Sequence, residues 1–205
     1  MAFELPPGIA AWAALTAAPL LAITCTAFTK ASVVLSALRV GLGAELLLPW
    51  SAVFALSLAI TAVVMGPVAA ASLEALESAG GIENLTQGPG SQIAGVLAPL
   101  LEFLARHADP GELGFFVELQ GVPAEHPLAL IPAFLVTELG EALQISLLIL
   151  VPFVLVDLVV AQVLLLLGLN SGSSQPLVSL PLKIALFLAV GGWGVIVRGL
   201  VEGYA

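Results

Sequence analysis

IPAFLVTELGEALQISLLILVPFVLVDLVVAQVLLLLGLNSGSSQPLVSLPLKIALFLAVGGW, residues 131–193, decides the fold of this chain. It contains two long apolar runs joined by a short polar tip, the composition of a hydrophobic helical hairpin. Four ionisable residues lie inside or beside these runs, namely Glu138, Glu141, Asp157 and Lys183. Because an ionised side chain is costly to bury among apolar groups, each needs a charged partner, a water-filled path or a protein neighbour.

The composition of the chain excludes an ordinary soluble domain. Of its 205 residues, 60% are hydrophobic and 9% are charged, and the mean hydropathy is +1.14. A soluble domain has about a quarter of its residues charged, so we expect an integral membrane protein or a subunit buried in a large assembly. The net charge of -9, with five scattered basic residues, excludes nucleic-acid binding, which needs clustered Lys and Arg.

Several apolar segments reach the length of about 20 residues that a membrane-spanning helix needs. The second is expected to end at the Gly66-Pro67 breaker. The predicted fold class is an all-α membrane protein with about four hydrophobic helical segments forming kinked hairpins, and with a mostly helical acidic insert between segments two and three. The four segments are predicted at 9–28, 50–71, 132–167 and 180–201.

The third and fourth segments contain residues that bend helices. The third would be about 54 Å long, well beyond the ~30 Å hydrocarbon thickness of a bilayer. Pro152 lies in its middle and is predicted to kink it or to split it into two helices. In the fourth segment, Gly191, Gly192 and Gly194 lie where close packing or a bend would be useful.

Three regions follow from these segments: an N-terminal hydrophobic helical pair at 1–71, an acidic insert at 72–127 and a long kinked hairpin at 128–205. The insert has eight acidic residues against a single base. Its first part, 80–92, is rich in turn formers and predicts a loop. An amphipathic helix is predicted after this loop, ending near Asp109-Pro110.

The basic residues predict the orientation of the chain in the membrane. Lys30 and Arg39 follow the first segment and Lys183 follows the tip, which places both connections in the cytoplasm. The acidic insert and both termini then lie on the opposite side, with Arg198 as the exception. No positively charged region precedes the first segment, so we expect this segment to be retained rather than cleaved as a leader.

No catalytic or metal-binding pattern is present in the sequence, and we predict neither an enzyme nor a cofactor. His107 and His126 flank prolines in the insert and have no suitably spaced metal-ligating partner. We interpret both as surface residues of a solvated loop. The single cysteine, Cys25, lies in an apolar run and is predicted to be a buried, inert thiol.

The charges of the third segment allow two hypotheses. Glu138 and Glu141 are three residues apart and share a helical face, and Gln144, Ser146 and Asp157 extend its polarity. Such a stripe can line an ion path, as in a proton-coupled secondary transporter or channel. Alternatively, the acids pair with basic residues in this chain or in a neighbouring copy. We favour pairing, in structure or assembly, and the candidate charges are Lys30, Arg39, Glu138, Glu141, Asp157 and Lys183.

A pair between Asp157 and Lys183 within one hairpin is not expected. Asp157 lies about eleven residues from the predicted helix end at Gly168, whereas Lys183 lies about three from the next predicted start. Their depths would differ by roughly 12 Å, which favours a partner in another subunit. The tip between the two helices is either an ordinary turn or the lining of a pore around which several copies assemble. Its candidate residues are Leu169, Asn170, Ser171, Gly172, Ser173, Ser174 and Gln175.

Three blocks of the sequence resemble the FliP/SctR/YscR family of type III secretion export-gate proteins. They are TAFTKASVVLSALRVGLG at 26–43, IPAFLVTELGEALQISLLILVPFVLVDLVVAQVLLLLG at 131–168, and SLPLKIALFLAVGGWGVIVRGLV at 179–201. The blocks occur in the order and at the spacing of the family. Glu138, Asp157, Lys183, Lys30 and Arg39 match its charged positions. The loop after the third segment, often methionine-rich in the family, contains no methionine here.

The resemblance implies a noncatalytic subunit of the bacterial inner membrane that passes unfolded export substrates through a pore. It implies self-association into a multi-copy ring or helical assembly, with SctS/FliQ-like and SctT/FliR-like subunits and with SctU/FlhB-like and SctV/FlhA-like components. It also implies that the long helices need not each span the bilayer in the assembly. The absence of a charged leader favours an injectisome member over a flagellar one.

Overall fold

The computed structural model describes residues 16, 19–21, 23–81, 90–169 and 174–204. These residues are mostly helical and include no strand, so the predicted all-α class is confirmed. The helices are α1 (Phe28–Leu42), α2 (Trp50–Ser78), α3 (Gly90–His107), α4 (Pro110–Gln120), α5 (Pro127–Leu166), α6 (Ser174–Ala189) and α7 (Gly192–Glu202).

The chain forms two compact units, each assembled from two separate stretches. The insert unit combines the described residues up to Thr29 with Met65–Thr137. The hairpin unit combines Lys30–Val64 with the described residues from Glu138 onwards. Helices α2 and α5 each contribute residues to both units. The division of the chain into three regions at 72 and 128 stays a prediction.

The insert unit has a small aromatic and aliphatic core. The rings of Phe103 on α3 and Phe134 on α5 lie 5.8 Å apart, and Leu104 and Leu130 are fully buried beside them. Helix α3 ends at His107, close to the end predicted at Asp109-Pro110. The short insert therefore has a packed centre of its own.

The boundary between α3 and α4 is fixed by local sequence. The Asp109 carboxylate accepts hydrogen bonds from the backbone N–H groups of Gly111 (2.8 Å) and Glu112 (3.2 Å). Pro110 occupies the first helical position, where its missing N–H removes no helical hydrogen bond. The backbone N–H of Asp109 donates to Thr137 Oγ1 at 2.8 Å, which joins this boundary to α5.

Helix α2 is longer than the sequence predicts. The expected end at Gly66-Pro67 is wrong, because the helix continues through Pro67 to Ser78. A proline costs one backbone hydrogen bond, and the remaining bonds of a long apolar helix are sufficient to continue it. Gly80 follows the end of the helix, and its φ of 87° is accessible to glycine and strained for other residues.

Helix α5 is a single element of 40 residues, about 60 Å long. The helix is continuous through Pro152, so the alternative of two separate helices is wrong. His126 caps its start, since the Leu128 backbone N–H donates to His126 Nδ1 at 3.3 Å. At its end, the N–H groups of Gly168 and Leu169 donate back to the carbonyls of the last turn.

The predicted fourth segment is two helices that meet at a bend of 60°. Gly191, with φ of 64°, lies at this bend. A Cβ on Gly192 would lie 2.2 Å from Phe187 Cε2, so only glycine fits against that ring. The bend and the close packing predicted from the glycines are both confirmed. A Cβ on Gly194 would meet nothing within 4 Å, so close packing does not require a glycine at that position.

The core of the hairpin unit is apolar and is built from helices distant in sequence. Leu35 and Leu38 of α1, Phe153 of α5, Phe187 of α6 and Leu200 of α7 are all buried in one cluster. Among the residues that the structure describes, two helices, α2 and α5, are long and apolar enough to cross a membrane, and α6 with α7 would form a third span if the bent pair is counted as one. Half of the predicted segment at 9–28 lies outside the described residues.

Candidate functional site

The first charged cluster joins α1 to α5 in the hairpin unit. Lys30, in the first turn of α1, is 3% exposed, and its Nζ lies 2.9 Å from Glu138 Oε1 and 2.6 Å from Glu141 Oε2. Glu138 is 1% exposed, whereas Glu141 is half exposed. The two glutamates share one face of α5, as their spacing predicts. Their partner is the lysine of the same chain, one of the alternatives that the sequence leaves open.

Tyr204 completes this cluster from the other end of the chain. Its hydroxyl donates a hydrogen bond to Glu138 Oε2, and the Lys30 Nζ lies 4.2 Å from the centre of its ring. Burial, and then the Glu138 carboxylate, raise the pKa of Tyr204 far above its usual value, so the hydroxyl keeps its proton. Sequence reasoning missed this residue. The one sequence feature that could have pointed to it is that Tyr204 is the only tyrosine of a strongly apolar chain.

The second charged cluster joins α5 to α6. Lys183 Nζ lies 2.6 Å from Asp157 Oδ2 and donates to the carbonyl of Gly41 at 3.0 Å. The lysine is buried, and about a third of the Asp157 side chain is exposed. The Gln175 side-chain amide donates to the Asp157 carbonyl at 3.3 Å, a second link between the two helices.

This pair corrects the expectation that Asp157 finds its partner only in another subunit. The depth argument placed the start of the second helix near residue 180, but α6 begins at Ser174. Lys183 therefore lies nine residues after the start of α6, and Asp157 lies nine residues before Leu166, the end of α5. Because both charged residues lie nine residues from the helix end next to the tip, their side chains lie at the same level along the hairpin and can pair.

Arg39 has a different role from the two lysines. Its guanidinium donates to the carbonyls of Leu48 (2.7 Å) and Glu45 (3.3 Å) and lies 4.5 Å from the ring centre of Trp50. These contacts satisfy backbone oxygens in the connection between α1 and α2. Arg39 therefore stabilises that connection. Within the described residues it has no carboxylate partner.

The polar stripe on α5 is not a continuous path. Gln144 is exposed, whereas Ser146 is buried and its hydroxyl has no hydrogen-bond partner among the described residues. Glu138 and Asp157, the acids on which the ion-path hypothesis depends, each face a lysine. Both acids that the ion-path hypothesis needs are thus held in ion pairs within the chain.

An open cleft of about 300 Å³ lies beside the second cluster, and its polar wall includes Asp157, Gln175, Ser179 and Lys183. Of the predicted tip residues, Leu169 is exposed, and Ser174 and Gln175 are partly exposed in the first turn of α6. Asn170, Ser171, Gly172 and Ser173 lie outside the described residues. The described tip residues therefore lie where α5 ends and where α6 begins.

Comparison with known proteins identifies relatives over nearly the whole chain. The model of the FliP family matches residues 12–200. The Yop proteins translocation protein R of Yersinia pestis is 33% identical, over 93% of this chain and 92% of that protein. The harpin secretion protein HrcR of Erwinia amylovora is 32% identical over 93% and 92%. The flagellar biosynthetic protein FliP of Caulobacter vibrioides is 33% identical over 93% and 73%.

Proposed function

Because the chain belongs to the FliP family, we propose that it is a pore-forming subunit of the type III protein secretion export gate. Membership of the family makes it a structural membrane component of the type III export apparatus. The finer proposal is that it passes unfolded export substrates across the bacterial inner membrane as part of an injectisome. The observation that carries the export role is the match over residues 12–200, together with relatives named for translocation, for harpin secretion and for flagellar biosynthesis.

The surface of α5 supports a role inside an assembly. Large apolar side chains are exposed along this helix, including Leu147 at 64% and Leu148 at 75%. A contiguous apolar surface of this kind indicates contact with lipid or with other protein subunits. We propose that self-association into a multi-copy ring or helical assembly, with SctS/FliQ-like and SctT/FliR-like subunits, covers it. SctU/FlhB-like and SctV/FlhA-like components are the further proposed partners.

The charged clusters support assembly in a second way. Glu141 and Asp157 each pair with a lysine and remain partly exposed, so each carboxylate can also accept a hydrogen bond from a neighbouring subunit. In our proposal the buried lysines fix these carboxylates in position for that contact. The fully buried Glu138 then acts inside the subunit, and Arg39 acts on the connection between α1 and α2.

The tip at 169–175 is the proposed pore constriction. Helix pairing through Asp157 and Lys183 holds α5 and α6 in register up to this tip, and the tip itself is small, polar and uncharged. Several copies placed around one axis would bring these residues together. We further propose that the acidic insert lies on the non-cytoplasmic side, in accordance with the distribution of basic residues.

Purification and deletion in the same bacterium test the proposed function. An affinity-tagged copy of the chain, extracted in mild detergent, is expected to co-purify in a multi-copy complex with SctS- and SctT-like subunits. Deletion of the gene is expected to abolish type III secretion, and the tagged copy to restore it. Isolation only as a monomer, with secretion intact in the deletion strain, would contradict the proposal. Loss of motility with secretion retained would instead assign the chain to a flagellum.

A further inference from the structure

Helix α7 is short and lies beyond a sharp bend. It has 11 residues, fewer than an isolated helix needs to be stable in water. Its apolar contact with the rest of the hairpin unit comes mainly from Ile196 and Leu200, which are buried in the common core. At the 60° bend, Gly191 joins the N-terminal end of α7 to α6, and glycine is the residue with the greatest backbone freedom.

The far end of α7 is fastened by Tyr204. This residue lies four positions after Leu200, and its hydroxyl donates to the buried Glu138 carboxylate of α5. Its ring lies over the Lys30 ammonium of α1, with the nitrogen 4.2 Å from the ring centre. One side chain therefore contacts both members of the Lys30–Glu138 pair, and it joins α7 to two other helices.

We propose that Tyr204 is a positioning residue that latches α7 onto α1 and α5 and closes the Lys30–Glu138 pair from water. A hydrogen bond to an ionised acceptor is among the stronger single contacts in proteins, and a cation over an aromatic ring adds to it. Without Tyr204, α7 keeps only its short apolar face and rotates more freely about Gly191. The inference is independent of the proposed export function, since it concerns one chain and its own fold.

Cysteine accessibility tests the latch in the full chain. In a Cys25→Ser background, Leu200→Cys places a single thiol on α7, and Leu35→Cys places a matched thiol on α1. Both leucines are 1% exposed in the same core. The rate of modification by N-ethylmaleimide in mild detergent, followed by mass spectrometry, reports how often each thiol becomes exposed by local opening. The rates are compared with Tyr204 intact, with Tyr204→Phe and with Tyr204→Ala.

We expect Tyr204→Ala to raise the modification rate at position 200 by roughly tenfold or more, since a hydrogen bond to a charged group is lost together with the ring. The rate at position 35 is expected to stay unchanged. Tyr204→Phe keeps the ring over Lys30, and a smaller rise is expected. An unchanged rate at position 200 in Tyr204→Ala would overturn the proposal. An equal rise at both positions would overturn it as well, because Tyr204 would then support the whole core rather than α7.

Discussion

At the scale of single residues, the hairpin unit contains two buried lysines. The carboxylates that they face differ in how far they are exposed to water. Lys30 faces a carboxylate that is 1% exposed, whereas Lys183 faces one that is about a third exposed. Removing one member of a buried pair leaves an uncompensated charge, which costs far more than the pair itself contributes. Water can solvate the Asp157 carboxylate when its partner is lost, but it cannot reach Glu138.

The Lys30→Met variant is therefore expected to lose about 3–5 kcal/mol of stability, the usual cost of leaving a charge buried without a partner. Adding Glu138→Leu should restore most of the loss, because the second substitution removes the orphaned charge. Thermal unfolding of the purified protein in detergent, followed by circular dichroism, measures both variants. A double variant that is less stable than Lys30→Met would contradict the proposed coupling.

A milder effect is expected at the second pair. Lys183→Met should lower the unfolding midpoint less than Lys30→Met does, because Asp157 remains partly hydrated. If the pair also supports assembly, native electrophoresis should show less of the complex for Lys183→Met and for Asp157→Asn. Recovery of the complex by exchanging the two charges would show that assembly needs the attraction between them, and not either residue alone. Unchanged complex abundance in both single variants would count against an assembly role.

At the scale of helices, the bend between α6 and α7 is built from glycines with separate tasks. Gly191 supplies the left-handed backbone, and Gly192 allows the Phe187 ring to lie against the chain. Gly194 contacts nothing that a methyl group would displace. The three glycines are alike in sequence, and only their surroundings distinguish them.

Gly192→Ala is expected to destabilise the protein by about 1–3 kcal/mol, because the added methyl overlaps the Phe187 ring and forces it to move. Gly194→Ala is the matched control. It adds the same methyl group to the same helix and should be neutral or stabilising by up to about 1 kcal/mol, since alanine favours a helix. Unfolding midpoints of the two variants decide the point. Equal effects would show that helix propensity, and not the ring contact, governs this bend.

The helices also show what sequence reasoning can and cannot predict. The all-α class, the shared face of Glu138 and Glu141 and the bend near Gly191 all follow from local periodicity and composition. The breaks predicted at Pro67 and Pro152 are absent, because a long apolar helix continues through a proline. Helix α6 begins at Ser174, earlier than predicted, and this places Lys183 level with Asp157. Tyr204 lay beyond prediction, since no local pattern connects it with Lys30.

At the scale of the whole molecule, the chain combines ion pairs formed within one chain with extensive exposed apolar surface. Within the described residues, five carboxylate and ammonium groups on α1, α5 and α6 are held in two ion-paired clusters. The remaining acidity lies largely in the insert unit. These five groups can therefore enter a lipid or protein environment already paired. This property is consistent with membership of a membrane-embedded export apparatus.

Bulky substitutions in the tip test the proposed constriction. Replacing Ser171 or Ser174 by Trp is expected to block or to leak export without reducing the amount of assembled complex. Export and membrane-leak assays on the same strains measure the effect. Ser78→Trp, an exposed serine at the end of α2, serves as the control for the added volume. Normal export and a tight membrane in both tip variants would remove the tip from the pore.

The Lys30 cluster has a consequence for biosynthesis. Its hydrogen bond to Glu141 joins residues 111 positions apart, and the Tyr204 contact with Glu138 spans a further 66. A ribosome therefore completes α1 long before any acidic partner of Lys30 has been translated. During that interval we expect the Lys30 ammonium to stay hydrated, because no carboxylate of α5 is yet present to pair with it. Final packing of α1 against α5 then waits for synthesis of α5 and Tyr204, so truncated translation products would leave this helix unpacked.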